Sequence, residues 1–358
     1  MVYFYNEKVL IIGYNLGGFG GMETVFKKSI NILALHTIHS EFIFFNEGDN
    51  KVNDDWLVDC KYRRLSSKIK NTKLRRISYA VQLARILKQE KPDIIISYDT
   101  VCCYIANLAR KIVRSNVYIY SWIHFSLHNL YKSLYLHKAD YHLSISSGIT
   151  QQMYGLGIDR EKVFTIYNPV RESDITIARD NYTRFLYVGR IIAYEQKNIN
   201  ELFYALSKLN GDWTLDIVGD GEDTDFLKNL ALELDIEAKI NWHGWQKNVW
   251  KYIKENVKYT SALVLSSTYE GFPMVLCEAS SYGIFCISSN CPTGPEDIIT
   301  PELNGLLYPV KDVASLANHL QSIIDGRLLP THNEIKNAIT KFNDENFANR
   351  LLSALKLS

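Results

Sequence analysis

The stretch Ala262-Leu-Val-Leu-Ser-Ser-Thr-Tyr-Glu270-Gly-Phe-Pro-Met-Val-Leu-Cys-Glu278 packs a strand, a turn and the start of a helix into 17 residues. The apolar run 262–266 reads as a buried strand. Residues 273–282 read as a helix with Pro273 in its first turn, where a missing N–H is no loss and φ is already helical. A helix that begins just after a strand turns its unpaired backbone N–H groups towards the carboxyl edge of the sheet, where they suit sugar hydroxyls and phosphate oxygens. Glu270 falls on the turn and Glu278 about one and a half turns into the helix, so the two carboxylates can accept hydrogen bonds from different parts of one ligand.

The same alternation extends in both directions. Strand-like runs occur at 8–13, 41–45, 93–97, 117–121 and 141–145, with helical periodicity at 23–35 and 77–89. They recur at 184–189, 214–219, 239–243 and 285–289, with helices at 199–209, 225–234 and 313–324. Regular βα alternation predicts an α/β protein whose parallel, doubly wound sheets are covered on both faces. Two such series predict two Rossmann-like domains facing each other, 1–168 and 169–340. The polar, weakly periodic segment around Pro169 supplies the boundary. A final segment, 341–358, is expected to form an amphipathic helix crossing back onto the first domain. The length of 358 residues agrees with two domains.

Composition narrows the class. With 47% hydrophobic and 22% charged residues the chain is neither disordered nor fibrous. No apolar run reaches the ~20 residues of a membrane span, and residues 1–13 lack a secretory leader pattern. The 6 cysteines include the adjacent Cys102 and Cys103 but no C-x-x-C, which points to reduced, mostly buried thiols in the cytoplasm. Charge is divided unevenly: residues 1–170 carry 22 basic and 14 acidic residues, and 171–358 carry 18 and 25. The excess peaks at 61–76, where 8 of 16 residues are basic and none is acidic. Arg63, Arg64, Lys68, Lys70, Lys73, Arg75 and Arg76 there read either as a solvated helical face, with Leu65, Ile69 and Leu74 as anchors, or as a patch for lipid or acceptor phosphates. No nucleic-acid motif accompanies them.

Residues just after the strands carry the candidate chemistry. Gly13-Tyr-Asn-Leu-Gly17-Gly18-Phe-Gly20-Gly21 follows the first strand but is not G-x-G-x-x-G. It reads as a tight turn, a dinucleotide loop or a loop facing phosphate or acceptor. Val188-Gly189-Arg190 with Lys197 offers a planar fork and a point charge for a diphosphate, or simply two surface cations. Gly219-Asp-Gly221 ends another strand. His124, in Trp122-Ile-His124, also stands at a strand end. Trp245, in His243-Gly-Trp245, suits either stacking on a base or core packing. Asp223-Thr-Asp225 has the form of a metal motif, but at a helix start its acids complement the dipole and cap amides, so no metal is expected. G-x-S-x-G is absent, so no hydrolase elbow competes.

Taken together, the glycines after the first strand, V-G-R with a following Lys, V-G-D-G, E-G-F-P-x-x-x-x-E and T-G-P-E-D-I resemble glycosyltransferase family 4 over nearly the whole chain, most specifically from Arg184 to Val310. Within that family the chain is most similar to the galactosyltransferases of the bacterial lipopolysaccharide core. The resemblance implies the two-domain GT-B fold and retaining, metal-independent transfer of a hexose, galactose by expectation, with no cofactor. The donor would be a UDP-sugar and the acceptor a hydroxyl of the lipopolysaccharide core, with peripheral contact to the anionic inner face of the inner membrane. By position, Arg190 and Lys197 would hold the donor diphosphate and Glu278 the ribose. Glu270 with Gly271, Phe272, Pro273, Met274 and Val275 would hold the sugar, Gly219 would line the donor site and Trp245 would stack on uracil. Gly18 and His124 would approach the donor from the other domain on closure. Arg190, Lys197, Glu270 and His124 form the expected catalytic set. A sugar-nucleotide epimerase, which shares the architecture, and a silent nucleotide-sugar-binding module are the competing readings.

Overall fold

The computed structural model describes residues 7–18, 21–47 and 52–356. The chain divides into two compact units, one formed by Met1–Pro169 with Phe347–Ser358 and the other by Val170–Asn346.

The first unit carries β1 (Lys8–Tyr14), β2 (His39–Asn46), β3 (Tyr62–Ser66), β4 (Ile94–Ser97), β5 (Tyr118–Ile123), β6 (Tyr141–Ser144) and β7 (Val163–Thr165) in one parallel sheet. Its strand order is β3-β2-β1-β4-β5-β6-β7. Helices α1 (Gly21–Leu35), α2 (Thr72–Glu90), α3 (Thr100–Val113) and α4 (Ser147–Gly155) form the crossovers. The second unit repeats the plan with β8 (Thr183–Val188), β9 (Trp213–Val218), β10 (Ile240–Gly244), β11 (Ala262–Leu265), β12 (Phe285–Ser289) and β13 (Gly305–Tyr308), in the order β10-β9-β8-β11-β12-β13. Around them lie α5 (Ile199–Leu206), α6 (Thr224–Glu233), α7 (Val249–Tyr252), α8 (Met274–Ser281), α9 (Pro295–Ile298), α10 (Val313–Ile324) and α11 (His332–Asn337). Each sheet is wound outwards in both directions from a pair of central strands, β1 and β4 in one, β8 and β11 in the other. These are the two Rossmann-like halves of a GT-B architecture.

Burial explains the sequence pattern. Val9, Leu10, Ile11 and Ile12 of β1 are all buried, as are all four residues of β11. A central parallel strand covered on both faces has no polar side to alternate with. Helix α2 buries Tyr79, Ala80, Leu83, Ala84 and Leu87, spaced to put one face on the sheet. Helix α3 buries both Cys102 and Cys103 and starts on Asp99, whose carboxylate accepts the amides of Val101 and Cys102 at 2.7 and 3.1 Å.

Three strands fall outside the expected set: β3, β7 and β13. The region 61–76 is not one helical face. It comprises strand β3, an open loop and the first turn of α2, so Leu65 points from a strand while Leu74 is exposed on a helix. The return helix α12 (Asp344–Leu355) begins later than expected, and residues 341–346 stay with the second unit. In the first unit, Arg350 Nε of α12 donates to the Ile166 carbonyl at 3.0 Å and Lys356 Nζ to the Tyr141 hydroxyl at 3.0 Å.

Two histidines of the first unit are buried neutral. Burial alone pushes His124 down to about 3, and burial, helped by His137 and Lys162, pushes His142 down to about 4. Once unfolded, each binds a proton near pH 6.5 that the folded form refuses, so stability falls as pH drops from there towards the folded values. Each site contributes about 1.4 kcal/mol per pH unit over its window. Urea titrations of the wild type between about pH 6.5 and 4.5 should show this loss, and His142→Gln should flatten the slope by about one proton.

Candidate functional site

In a doubly wound sheet the crossovers on either side of the central strands leave in opposite directions. A crevice therefore opens at the carboxyl ends of those strands. In the second unit the crevice falls between β8 and β11, and the loops after these strands are lashed together. Ser266 Oγ donates to the Lys197 carbonyl at 3.0 Å, the Thr268 amide to the Gln196 carbonyl at 2.8 Å and Thr268 Oγ1 to the Glu195 carbonyl at 2.5 Å.

Across this junction Lys197 Nζ meets Glu270 Oε1 at 2.7 Å, with only 15% and 9% of the two side chains exposed. A carboxylate so far removed from water needs further donors. Ser267 Oγ supplies one to the same oxygen at 2.7 Å, and Thr293 Oγ1 fixes the loop through the Glu270 carbonyl. Ser267, Thr293 and the lashing hydroxyls were not foreseen. The cluster Ser266-Ser267-Thr268 straight after an apolar strand is the signal that marks them.

Arg190 lies on the same loop as Lys197 but is exposed, and its Nη2 donates to Gln196 Oε1 at 3.0 Å. It borders a cavity of about 550 Å³ whose other charged residues are Glu195, Asp220, Glu222 and Asp223. Four carboxylates disfavour a diphosphate there, which leaves the part of the crevice by Lys197 and the start of α8 as the candidate anion site.

Pro273 is not in the first turn of α8 but one residue earlier, at the N-cap, with φ −70° and ψ 92°. Its side chain provides no cap, so the first amides of the helix are not answered by the N-cap residue. Gly271, Phe272 and Pro273 are buried, and Phe272 packs edge-on against Phe342 at 5.2 Å. Its aromatic ring belongs to the core. Met274, Val275 and Glu278 are partly exposed on one side of the helix.

Glu278 Oε2 accepts the indole hydrogen of Trp250 at 2.9 Å, and that indole stacks on Tyr282 at 5.0 Å and 17°. Trp250 rides on α7, which is anchored from below. The Tyr252 hydroxyl bonds His243 Nδ1 at 3.1 Å, and His243 Nε2 bonds the buried Asp216 Oδ1 at 2.7 Å. No motif in the sequence flagged Trp250. Trp245, after β10, is 63% exposed, which removes the core-packing alternative and leaves a flat apolar face in solvent beside this network.

Gly219 directly follows β9 at φ 154°, and a Cβ there would lie 1.8 Å from the Gly189 carbonyl oxygen. The two strand ends can approach this closely only because no side chain intervenes. Asp223 stands at the N-cap of α6 without capping it, because its Oδ2 accepts the Ala193 amide at 2.8 Å. The expected capping role is therefore replaced by a tie to the loop after β8. Among the described residues no three His, Cys, Asp or Glu side chains gather as a metal site.

In the first unit, His124 directly follows β5. It is 5% exposed, sits edge-on to Phe26 at 5.0 Å, and its Nε2 has no hydrogen-bond partner among the described residues. At neutral pH it is an uncharged donor or acceptor. Gly18 adopts φ +89°, where a Cβ would strike the Asn53 carbonyl oxygen at 2.2 Å. Its amide is occupied by the buried Glu23 carboxylate at 2.8 Å, so Gly18 does not itself offer an N–H to an anion. Residues 19–20 of that loop lie outside the described residues.

The basic segment separates into two populations. Arg63 pairs with Glu41 and Glu90 at 2.5 Å, Arg64 with Asp54 at 2.6 Å and Arg75 with Glu47 at 2.9 Å, while Arg76 lies over the Tyr131 ring. Lys68, Lys70 and Lys73 are exposed. The patch expected from composition is thus smaller than its charge count.

Residues 171–342 match the family model of group 1 glycosyl transferases, and residues 19–174 that of glycosyltransferase family 4. The chain is 39% identical to the lipopolysaccharide 1,6-galactosyltransferase of Salmonella typhimurium, over 98% of its own length and 99% of the relative's. It is also 39% identical to the enzyme of that name from Escherichia coli K12, over 96% of each. Its fold matches the solved apo form of the lipopolysaccharide outer core galactosyltransferase WaaB with a TM-score of 0.93 at 38% identity, covering 98% of this chain and 99% of that one.

Gly219→Ala should wedge the ends of β8 and β9 apart. Overpacking a strand end in a positive-φ conformation costs about 1–3 kcal/mol, measurable as a lower urea midpoint at unchanged m-value.

Proposed function

The chain belongs to glycosyltransferase family 4 and is a glycosyltransferase, and on that premise we propose that it transfers galactose from UDP-galactose to a hydroxyl of the lipopolysaccharide core with retention of anomeric configuration. The relatives that span almost the whole chain, and that carry the name lipopolysaccharide 1,6-galactosyltransferase, support the sugar and the acceptor. The observation that carries the chemistry is the Lys197–Glu270 pair beside the uncapped start of α8, at the point where the sheet reverses its winding.

The difficult step is loss of the nucleoside diphosphate from an anomeric carbon that becomes cation-like. The bond between C1 and the diphosphate oxygen lengthens first. The acceptor oxygen then joins C1 on the same face, and its proton passes to the departing phosphate oxygen. Negative charge collecting on the leaving group is met by the Lys197 ammonium, the Arg190 guanidinium and the amides of Met274 and Val275. These fixed charges and dipoles take the part a divalent cation plays in other transferases. Arg190 leaves Gln196 to reach the phosphates. Glu270, steadied by Ser267, accepts from a donor-sugar hydroxyl. Glu278, steadied by Trp250, accepts from the ribose, and Trp245 covers the uracil. Because the acceptor is lipid-linked, the enzyme works at the cytoplasmic face of the inner membrane.

A donor screen with lipopolysaccharide truncated before the galactose tests the proposal. UDP-galactose should be the best donor, chelators should leave the rate unchanged, and proton NMR should give an α-linked product. Turnover of donor without acceptor, or equal use of UDP-glucose, would overturn the assignment. Lys197→Ala should lower kcat by roughly 100-fold, and Trp250→Phe, which keeps the stack on Tyr282, should raise KM for the donor with little change in kcat.

A further inference from the structure

A cavity of about 630 Å³ lies at the amino ends of the first unit's strands, the edge of the sheet opposite the one where topology opens a crevice. Small-molecule sites occupy roughly 300–1,000 Å³. Helices α2, α3 and α12 bring their carboxyl ends to its rim, and β5 and β6 form a wall. All of these elements belong to the first unit. Leu87 and Leu355 add apolar surface.

The wall is aromatic. Alternation along β5 puts Tyr118 and Tyr120 on one face of the sheet, and Tyr141 joins them from β6. Its ring lies 6.0 Å from that of Tyr118 and 5.0 Å from that of Tyr120, near parallel to the latter at 27°. Tyr118 is 56% exposed, so an aromatic surface stays open to a ligand. Tyr120 is the reverse. It is 2% exposed, lines the cavity, and its hydroxyl has no hydrogen-bond partner among the described residues. Burial pushes its pKa up, so the phenol keeps its hydrogen and stays a donor. A buried phenol ordinarily finds a partner, and here the cavity has room for one.

The charges around it balance. Lys88, Lys91 and Lys356 stand against Glu7 and Asp93, and each of the three helix ends adds about half a negative charge. Lys356 is already engaged, its Nζ bonding the Tyr141 hydroxyl at 3.0 Å and lying over that ring at 4.5 Å. Neither an anion nor a cation gains much from such a rim. A ring bearing many hydroxyls does, because each hydroxyl both donates and accepts and so suits ammonium, carboxylate and the Asn116 amide alike. We propose that this cavity is a second carbohydrate site, which takes one neutral pyranose ring. The apolar face of the sugar lies on Tyr118, and its hydroxyls bond Tyr120, Asp93 and Asn116. The 6 residues of β5, about 20 Å of strand, separate this ring from the carboxyl ends where transfer is expected. The site is therefore independent of the catalytic reading.

Saturation-transfer NMR on the full chain tests this with two probes, methyl α-galactoside and delipidated lipopolysaccharide core. Saturable transfer to the glycoside marks a site for a free ring, and transfer to the oligosaccharide alone marks a site for a ring within a longer glycan; either result supports the proposal. The signal should survive UDP-galactose at a concentration that fills the donor site, with the probe in large excess. Tyr118→Ala should weaken binding roughly tenfold, while Tyr118→Phe keeps it. Tyr120→Phe, which gives up no bond made within the folded protein, should weaken binding at an unchanged urea midpoint. Tyr118→Ala should also leave turnover of UDP-galactose unchanged. The proposal is overturned if neither probe gives saturable transfer, if UDP-galactose erases the signal, or if Tyr118→Ala leaves it undiminished. Tighter binding of inorganic phosphate than of either saccharide, lost in Lys88→Ser with Lys91→Ser, would make this an anion site and overturn it as well. A failed donor assignment would leave the signal that depends on Tyr118 untouched, so the two readings fail separately.

Discussion

An ammonium and a carboxylate 2.7 Å apart, both mostly shielded from water, bridge two loops that sheet topology sends in opposite directions. The crevice of the second unit depends on that bridge for its shape. Doubly wound connections open a gap between β8 and β11, and the gap is useful only if its walls hold still. Three hydroxyl or amide bonds from Ser266 and Thr268 fix the backbone of the loops, and Lys197 and Glu270 close them with charge. Ser267 gives the carboxylate a second donor, as a desolvated anion requires. The site is organised by small hydroxyl residues that hold its loops and its carboxylate in place.

What could be read from sequence follows a physical line. Central strands such as β1 and β11 are legible because burial on both faces forces an unbroken apolar run. The edge strand β3 is not, because Tyr62-Arg63-Arg64-Leu65-Ser66 carries its charges for partners on other elements: Glu41 on β2, Glu90 at the end of α2 and Asp54 in the preceding loop. Charged edges protect sheets from further pairing, and that protection hides the strand from any reading based on hydrophobicity. Helix α10 needed no such context: its apolar positions repeat at helical spacing and Asp312 caps its start.

The site divides in the same way. Glu270, Lys197 and Glu278 stand in a recognisable spacing, and their neighbours in the chain place them after strands. Trp250 reaches Glu278 from 28 positions away, and its role exists only in three dimensions. Trp245 was ambiguous until its exposure was known. The basic segment is the converse case: a count of charges overstates the patch, because arginines with carboxylate partners are spent on the fold while nearby lysines are free to meet something else. Within 61–76, partnership rather than number separates the cations that hold the fold from those left in solvent.

The polypeptide enters the second unit at Val170 and leaves it at Asn346, and the two crossings are stitched side by side. The Val170 amide donates to the Phe342 carbonyl at 2.8 Å, and Asn343 Nδ2 to Glu172 Oε1 at 3.1 Å. A module whose entry and exit are neighbours can be lifted out and exchanged as a single cassette without stretching the host at either seam. Recombination between relatives at these two seams would exchange the whole six-stranded sheet with its helices in one event, leaving the seven-stranded sheet and its return helix uncut.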